Sequence, residues 1–578
     1  MSLSIASTIA LSALRAAQVG ISVTSSNIAN ADVDGYTVKT ANQVSTVAAS
    51  TGSGTAVASI TGGVDKYVFA SLVSANADLG AASVTASYTD RLQALMGSTT
   101  GSDDGGTSVA TLVTNLQTAV TSLASSPEDD TVQSEVIAAA DSLASSLRET
   151  SASIQSLRSD ADQQIADDVG TVNEALQTID GLNKAIVAAK AKGLSTADLE
   201  DQRTSAIEKI SSLIGIKTTT ASSGAIYIST SGGTALLTSS VHALSFTASA
   251  TMNADTVLSG ISVDGKDITG ELTGGEVGGL LTLRDTTLVE AQDELDTLAS
   301  ALIATLNAVT ADGSAVPAPT SLTGTAKVAS TDALAASGSV RIAQVGEDGA
   351  LVAYSDLDLS SYATVGDLVS ALDAIDGIDA SLDSSGKLTI TSTTSGAGVA
   401  IGALDGDMDG SGTSFSSYFG FNALFTGSGA ASISLSSALS SDAGALAVGT
   451  LSSSTTIGAT VLTSGSTTVA DGLLSAMTGK QSFAATGGIG STTVTLGDYA
   501  ARVVSDYASR AAKAEAAETS AETLATSLSD TIASQSGVNI DEETARLSDY
   551  QALYSAAAQI IQAANEMFEA LLAAAKSA

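Results

Sequence analysis

The chain has 578 residues, 61 of them acidic and 23 basic, for a net charge of -38, and it holds one histidine, three prolines, no cysteine and no tryptophan. Three or four domains fit in that length. So acidic a chain argues against nucleic acid, which needs clustered Lys and Arg, and against anionic membrane surfaces, while the missing cysteine excludes disulfides, thiolate metal sites and thiol nucleophiles.

Leu3, Ala10, Leu14, Ala17, Ile21 and Ile28 step by threes, fours and sevens, with Ile5, Ile9, Val19 and Val23 on a flank, and predict an amphipathic first helix. Arg15 follows the first apolar positions instead of preceding them, so the stretch lacks the positive start of a secretory signal, and no unbroken run of eighteen apolar residues predicts a membrane span. The pattern stops at Asn27-Ile28-Ala29-Asn30-Ala31-Asp32-Val33-Asp34-Gly35-Tyr36, where Asn, Asp and Gly bring turn chemistry. Residues 41–100, rich in Ser, Thr, Ala and Gly, read as a polar connector.

Helical spacing returns at Val109, Leu112, Val113, Leu116, Val120 and Leu123, stopped by Ser125-Ser126 before Pro127, which suits the first turn of a further helix. That helix is marked by Val136, Leu143, Leu147, Ile154, Ile165, Val172, Ile179 and Ile186. Ala225 to Ile228 reads as a strand and Leu288 to Asn307 as a helix. Past Pro317 and Pro319 the pattern is mixed. Thr364 and Asp367 form a capping box, Ile378 to Leu382 and Leu388 to Ile390 a hairpin across Asp383-Ser384-Ser385-Gly386, and Phe415, Tyr418, Phe419, Phe421 and Phe425 the core plug of a small domain. A long helix runs from Leu496 to Gly537.

Chemistry is sparse. His242 is the only imidazole and no motif surrounds it. Asp405-Gly406-Asp407-Met408-Asp409-Gly410 begins like a calcium loop, but Ser416 stands at the twelfth position where a bidentate Glu is needed, so an acidic turn is the reading. No catalytic residue, cofactor or metal is expected.

The last helix opens on Asn539 as N-cap, with Asp541, Glu542 and Glu543 at its positive end. Leu547, Tyr550, Tyr554, Ala557, Ile561, Ala564, Phe568, Leu571 and Ala575 then make a heptad seam, and Leu553, Ile560 and Met567 a second row, so this helix wants more than one neighbour. Two amphipathic helices at opposite ends meet only if everything between them is looped out.

At these residues the chain resembles the axial proteins of the bacterial flagellum, in which an N-terminal helix followed by an Asn-x-x-Asn-turn-Gly-Tyr motif pairs with a C-terminal heptad helix. At Ala197 to Arg203, followed by Ile207, Ile210, Leu213 and Ile214, and at Asn539-Ile540-Asp541-Glu542-Glu543 it is similar, more narrowly, to the hook-filament junction members, in which a Leu-x-Asp-Gln-Arg segment stands before a helix and a small sheet. Gly274-Gly275 with Gly278-Gly279 resemble that family's glycine turn before the next helix. The resemblance implies a mainly α protein with α+β insertions: an inner coiled coil of 1–40 with 538–578, a connector over 41–100, a helical middle domain with a small β-sheet over 101–315 with 465–537, and an outer α+β domain over 320–464. It also implies a structural subunit that self-associates into a helical ring between hook protein and a second junction protein. Such a subunit uses the flagellar export apparatus and an export chaperone, leaves the cell without a cleaved signal, and has no nucleic-acid or membrane partner. A hook or distal rod protein is the alternative within the family; a secreted adhesin stands further off. The assembly residues implied are Leu3, Leu14, Ile21, Asn27, Ile28, Asn30, Gly35, Tyr36, Leu547, Tyr550, Tyr554, Ile561, Phe568 and Leu571.

Overall fold

Small helix-forming residues at spacings of three and four set most of the architecture, which is mainly α with antiparallel β insertions. The computed structural model describes residues 3–48, 51–97, 106–254 and 256–577. In chain order, α1 (Leu3–Ala29) leads to the hairpin β1 (Thr40–Ala48) and β2 (Thr51–Thr61), then α2 (Lys66–Leu95), α3 (Val109–Ser125), α4 (Asp130–Ala191) and α5 (Ala197–Leu213). Two small sheets follow, β3 (Ile216–Thr220), β4 (Ile226–Thr230) and β5 (Ala235–Leu237), then β6 (Leu244–Ser245), β7 (Ser262–Val263) and β8 (Lys266–Asp267). The chain returns to helix in α6 (Gly275–Thr282) and, after one π turn, α7 (Leu288–Ala311). The β-rich part comprises β9 (Ser321–Thr323), β10 (Ser339–Gly346), β11 (Leu351–Asp358), α8 (Val365–Asp373), β12 (Ile378–Leu382), β13 (Leu388–Ser392), β14 (Ala397–Ala403) and α9 (Phe415–Phe419). Last come β15 (Phe425–Thr426), β16 (Ser434–Leu435), α10 (Ser437–Ser441), α11 (Thr468–Thr478), β17 (Gln481–Phe483), β18 (Thr492–Val494), α12 (Leu496–Ser536) and α13 (Ile540–Ser577).

The chain divides into two units. The first holds residues 1–88, 159–284 and 512–578. In it α2 buries Leu72, Val73, Ala77 and Val84, and it passes α5 and α6 at glycines: a Cβ on Gly80 would collide with the Ser212 carbonyl, and one on Gly279 would lie 2.5 Å from Val84 Cγ1. Gly278 and Gly279, expected in a turn, are therefore helical positions chosen for close approach. Arg284 and Asp162, both nearly without exposure, form an ion pair at 2.7 Å. Asp162 also accepts from the Ser249 amide at 2.6 Å, and Arg284 donates to the Ser259 carbonyl at 3.2 Å.

The second unit holds residues 89–158 and 285–511. Arg510 of α12 reaches Glu290 and Glu294 of α7 at 2.7 and 2.9 Å, and Tyr507 donates to the Ala291 carbonyl at 2.5 Å. In the β-rich part, sheets β11-β10-β14 and β12-β13-β9 share one core with α8 and the aromatic plug Phe415, Phe419 and Phe421. The Thr364 capping box forms as the spacing predicts. Strand β10 is buried on both faces, because Ala343 and Val345 pack on a separate cluster with Leu351, Val461 and Leu462. Its Arg341 is accommodated by a bidentate pair with Asp356 at 2.6 and 2.7 Å.

Two expectations need correction. Residues 41–100, read as a polar connector, contain the β1–β2 hairpin and the thirty-residue helix α2; β-branched Val and Thr favour the first, and the Ala and Leu content supports the second. Pro127 lies outside α4, which starts at Asp130 with Asp129 receiving the Thr131 amide at 2.9 Å.

Removing Arg284 leaves Asp162 buried and unpaired, so Arg284→Ala is expected to cost about 3–5 kcal/mol in denaturant unfolding of the full chain. Asp168 of α4 has a second source of sensitivity: burial, then the charges of Glu276 and Asp167, push its carboxyl up to about 7. The folded state holds that proton more tightly than the unfolded chain, so the group's contribution to stability is present below about pH 4 and lost as pH rises to about 7. Thermal melts of Asp168→Asn against the parent chain should differ little at pH 4 and increasingly, in favour of the variant, up to neutral pH.

Candidate assembly site

Helices α1 and α13 pack antiparallel. The registration is fixed by two points, Asn27 against Glu543 at one end and Gly20 against Tyr550 two turns along. A Cβ on Gly20 would lie 2.6 Å from the Tyr550 ring, so the ring sits directly on the α1 backbone. Ala10, Ala17, Gly20 and Thr24 form a shallow face on α1, and Ala557 and Ala564 are buried on α13. Asn539 caps α13, its side-chain oxygen accepting from the Asp541 amide at 3.0 Å.

A buried polar knot closes this pair. Asn27 is fully buried and its amide makes four hydrogen bonds: Nδ2 donates to the Lys39 carbonyl at 2.9 Å and to Glu543 Oε2 at 2.7 Å, while Oδ1 accepts from Tyr36 Oη at 2.9 Å and the Lys39 amide at 3.0 Å. Burial pushes the Tyr36 phenol up, which keeps it the donor. Lys39, itself buried, pairs with Asp201 of α5, whose carboxylate also accepts from the Thr37 amide at 3.0 Å and the Thr37 hydroxyl at 2.8 Å. Arg203, two residues on, donates to Asn183 Oδ1 at 3.0 Å and the Gly224 carbonyl at 2.7 Å, tying α5 to α4 and the β3–β4 turn. Gly35 takes φ +74°, which a side chain resists, and a Cβ there would lie 2.5 Å from Ser205 Oγ. Asn30 returns its amide to the Ser26 carbonyl at 2.8 Å. The turn motif is thus a device for folding the chain back onto α5 and α13.

Of the implied assembly residues, Asn27 is buried, and Leu14, Ile21, Ile28, Asn30, Tyr36, Leu547, Tyr550 and Ile561 are half-buried, while the side chain of Leu3 lies outside the described residues. Tyr554 is exposed, as are Phe568 and Leu571 at 60% and 61%. With Asn27 level with Glu543, Phe568 and Leu571 lie past Leu3, the first residue of α1, whereas Tyr554 is level with Ala16 and is exposed along the pair. Leu553, Ile560 and Met567 are uncovered too. Length and hydropathy alone would let α1 cross a membrane. In the fold one face of it packs against α13 and β2, where the Thr55 amide donates to Ser12 Oγ at 3.0 Å.

Thr37, Lys39 and the pairing role of Glu543 were not read from the sequence. Lys39 did carry a signal, being the only basic residue between Arg15 and Lys66. His242, which seemed isolated, meets Thr238 at 3.2 Å and Asp264 at 2.7 Å on the surface of the small sheets, with Asp264 mostly exposed. Asp407 and Asp409 spend their oxygens on local turns, accepting from the amides of Gly410 at 3.0 Å and Ser411 at 2.9 Å. Among the described residues no cluster of three His, Asp or Glu side chains suits a metal.

Asn27→Asp preserves shape but removes both donations and sets a carboxylate beside Glu543. It should cost about 1–3 kcal/mol for each buried partner left unpaired. Amide exchange should quicken in residues 3–29 and 540–577 while residues 285–511 keep their protection.

The chain matches the family model of the flagellar hook-associated protein FlgK helical domain over residues 94–320. At its ends it matches flagella basal body rod protein over 8–37 and the flagellar basal body rod FlgEFG protein C-terminal region over 532–574, which contain Asn27 and Glu543. It is 26% identical over 314 residues to flagellar hook-associated protein 1 of Salmonella typhimurium, covering 52% of this chain and 55% of that protein. To the same protein of Bacillus subtilis it is 25% identical over 234 residues, covering 38% and 45%. The chain spans about half the length of the curated relatives it matches. The structure of the flagellar hook junction protein FlgK from Burkholderia pseudomallei aligns over 80% of this chain and 98% of that one, with 18% identity and a TM-score of 0.49. By the helical-domain match in the middle, the rod-protein matches at both ends and the two curated relatives, the chain is similar to the flagellar hook-associated protein 1 family, whose members are structural proteins of the bacterial flagellum and not enzymes.

Proposed function

We propose that the chain is the subunit of a ring at the hook-filament junction, assembled through α1 and α13 and joining hook to filament. The observation that carries this is the overhang of α13, where Phe568 and Leu571 stand more than half exposed beyond the reach of α1. Large apolar side chains in a row at a helix end are costly to leave in water, and neighbouring copies are the cover a ring supplies. On this reading the partners are further copies of the chain, the hook protein and a second junction protein, reached outside the cell through the flagellar export apparatus with a chaperone and without a cleaved signal. The terminal helix pair (1–40 with 538–578) is the inner assembly domain and residues 320–464 form an outer domain. Leu14, Ile21, Tyr554, Ile561, Phe568 and Leu571 serve packing between copies, whereas Asn27, Asn30, Gly35 and Tyr36 set the geometry of the pair.

Because Phe568 and Leu571 are already solvent-facing in the single chain, Phe568→Asp with Leu571→Asp should leave circular dichroism and melting unchanged within about 0.5 kcal/mol. Cells carrying the double variant should export it, build hooks, spill filament protein into the medium and be non-motile. Motile flagella containing the variant would sink the assignment.

A further inference from the structure

Two surfaces around the α1–α13 pair stay open on the single chain. One is the outer row of α13, where Leu553, Ile560 and Met567 recur every seven residues and are each more than half exposed. At about 100° per residue this row lies about 60° round the helix from the line of Tyr550, Ala557 and Ala564 that meets α1, and α1 leaves it exposed. Asp549, one turn before Leu553, makes the row acidic at one end and apolar beyond. The other surface is a groove of about 300 Å³ between α1 and β2, lined by Leu11, Arg15, Ala16, Val19 and Val57 among others. Arg15 is the only charged residue in either α1 or the β1–β2 hairpin, and it makes no ion pair among the described residues. The groove follows α1 from Thr8 to Val19, eleven steps along the helix or about 16 Å.

We propose that the outer row of α13 in one copy seats in the α1–β2 groove of the next copy, with Asp549 against Arg15 and Leu553 against Leu11. This rests on the reading that the chain assembles with itself, and it names the seat. Copies repeated side by side in one orientation set α13 of one antiparallel to α1 of the next, as it is to its own α1. In that direction Leu553 comes level with Leu11 when Asp549 is level with Arg15. Asp549 at the acidic end of the row meets the lone cation and Leu553 meets the apolar wall, while Ile560 comes level with Ser4, past the end of the groove at Thr8. Since row and groove are different surfaces, the contact is head-to-tail and repeats into a ring or a helical turn instead of closing as a two-fold dimer.

The absence of cysteine makes the test specific. Leu11→Cys and Leu553→Cys both replace exposed side chains and can be produced together in one flagellated strain, each in full-length chain. Oxidation of the isolated flagella should give a mixed dimer joined between positions 11 and 553. If both variants are present in the flagella and the mixed dimer does not form, or only 553-to-553 dimers form, the seat is wrong while the assembly reading stands. If the unmodified chain is itself missing from flagella, the assembly reading falls and the seat with it. Independently, Arg15→Glu should cut incorporation about tenfold through like-charge opposition, and Arg15→Glu with Asp549→Arg should restore it. Normal incorporation of Arg15→Glu, or no rescue by the exchange, overturns the pairing.

Discussion

One buried amide organises the ends of this chain. Asn27 is placed where the last turn of α1, the returning segment at Tyr36 to Lys39 and the first turn of α13 converge, and all four of its hydrogen-bonding positions are used. A planar group with two donors and two acceptors fits only one arrangement of those three segments, so the knot sets the registration of two helices more than five hundred residues apart in sequence. Glu543 is stabilised there without a full counter-charge in the core, since Asn27 donates to one oxygen and Arg546 reaches the other at 2.8 Å from the surface. The Lys39–Asp201 pair extends the same logic into α5.

Registration determines what is left uncovered. With Gly20 beneath Tyr550, the two helices run out of step in length and not in phase, which strands the apolar end of α13 beyond its partner. A helix built for its own chain alone would place polar residues at Phe568 and Leu571, since a surface of that size gains nothing from being apolar. The polar knot and the bare stripe are two ends of one construction: the first fixes direction, and the second is the surface proposed to meet copies of the same chain.

Away from the ends, rigidity comes from close contacts of different kinds. Helices cross over glycine at Gly80 and Gly279, where backbone meets backbone with no side chain between. Arg284 with Asp162 in the first unit and Arg510 with Glu290 and Glu294 in the second link segments distant in sequence through buried or half-buried ion pairs, which constrain geometry more than they add stability. No metal or ligand chemistry is needed for any of these roles, consistent with a structural family.

Local spacing alone was enough for the long helices other than α2, the capping box at Thr364, the aromatic plug and the two terminal seams, because each survives without knowledge of neighbours. The sequence also located Asn27, Tyr36, Asp201 and Glu543 as notable residues, though not as members of one knot. Only the tertiary structure decided that, since the hydrogen bond from Asn27 to Glu543 spans 516 positions and nothing in either neighbourhood encodes the other's distance. The same limit explains α2. A helix rich in Ala and Ser has weak periodicity because its packing is made by small residues and glycine. Which side chains of the seam stay exposed was likewise beyond local pattern, because it depends on where α1 begins relative to α13 and therefore on a registration set at the opposite end of the pair.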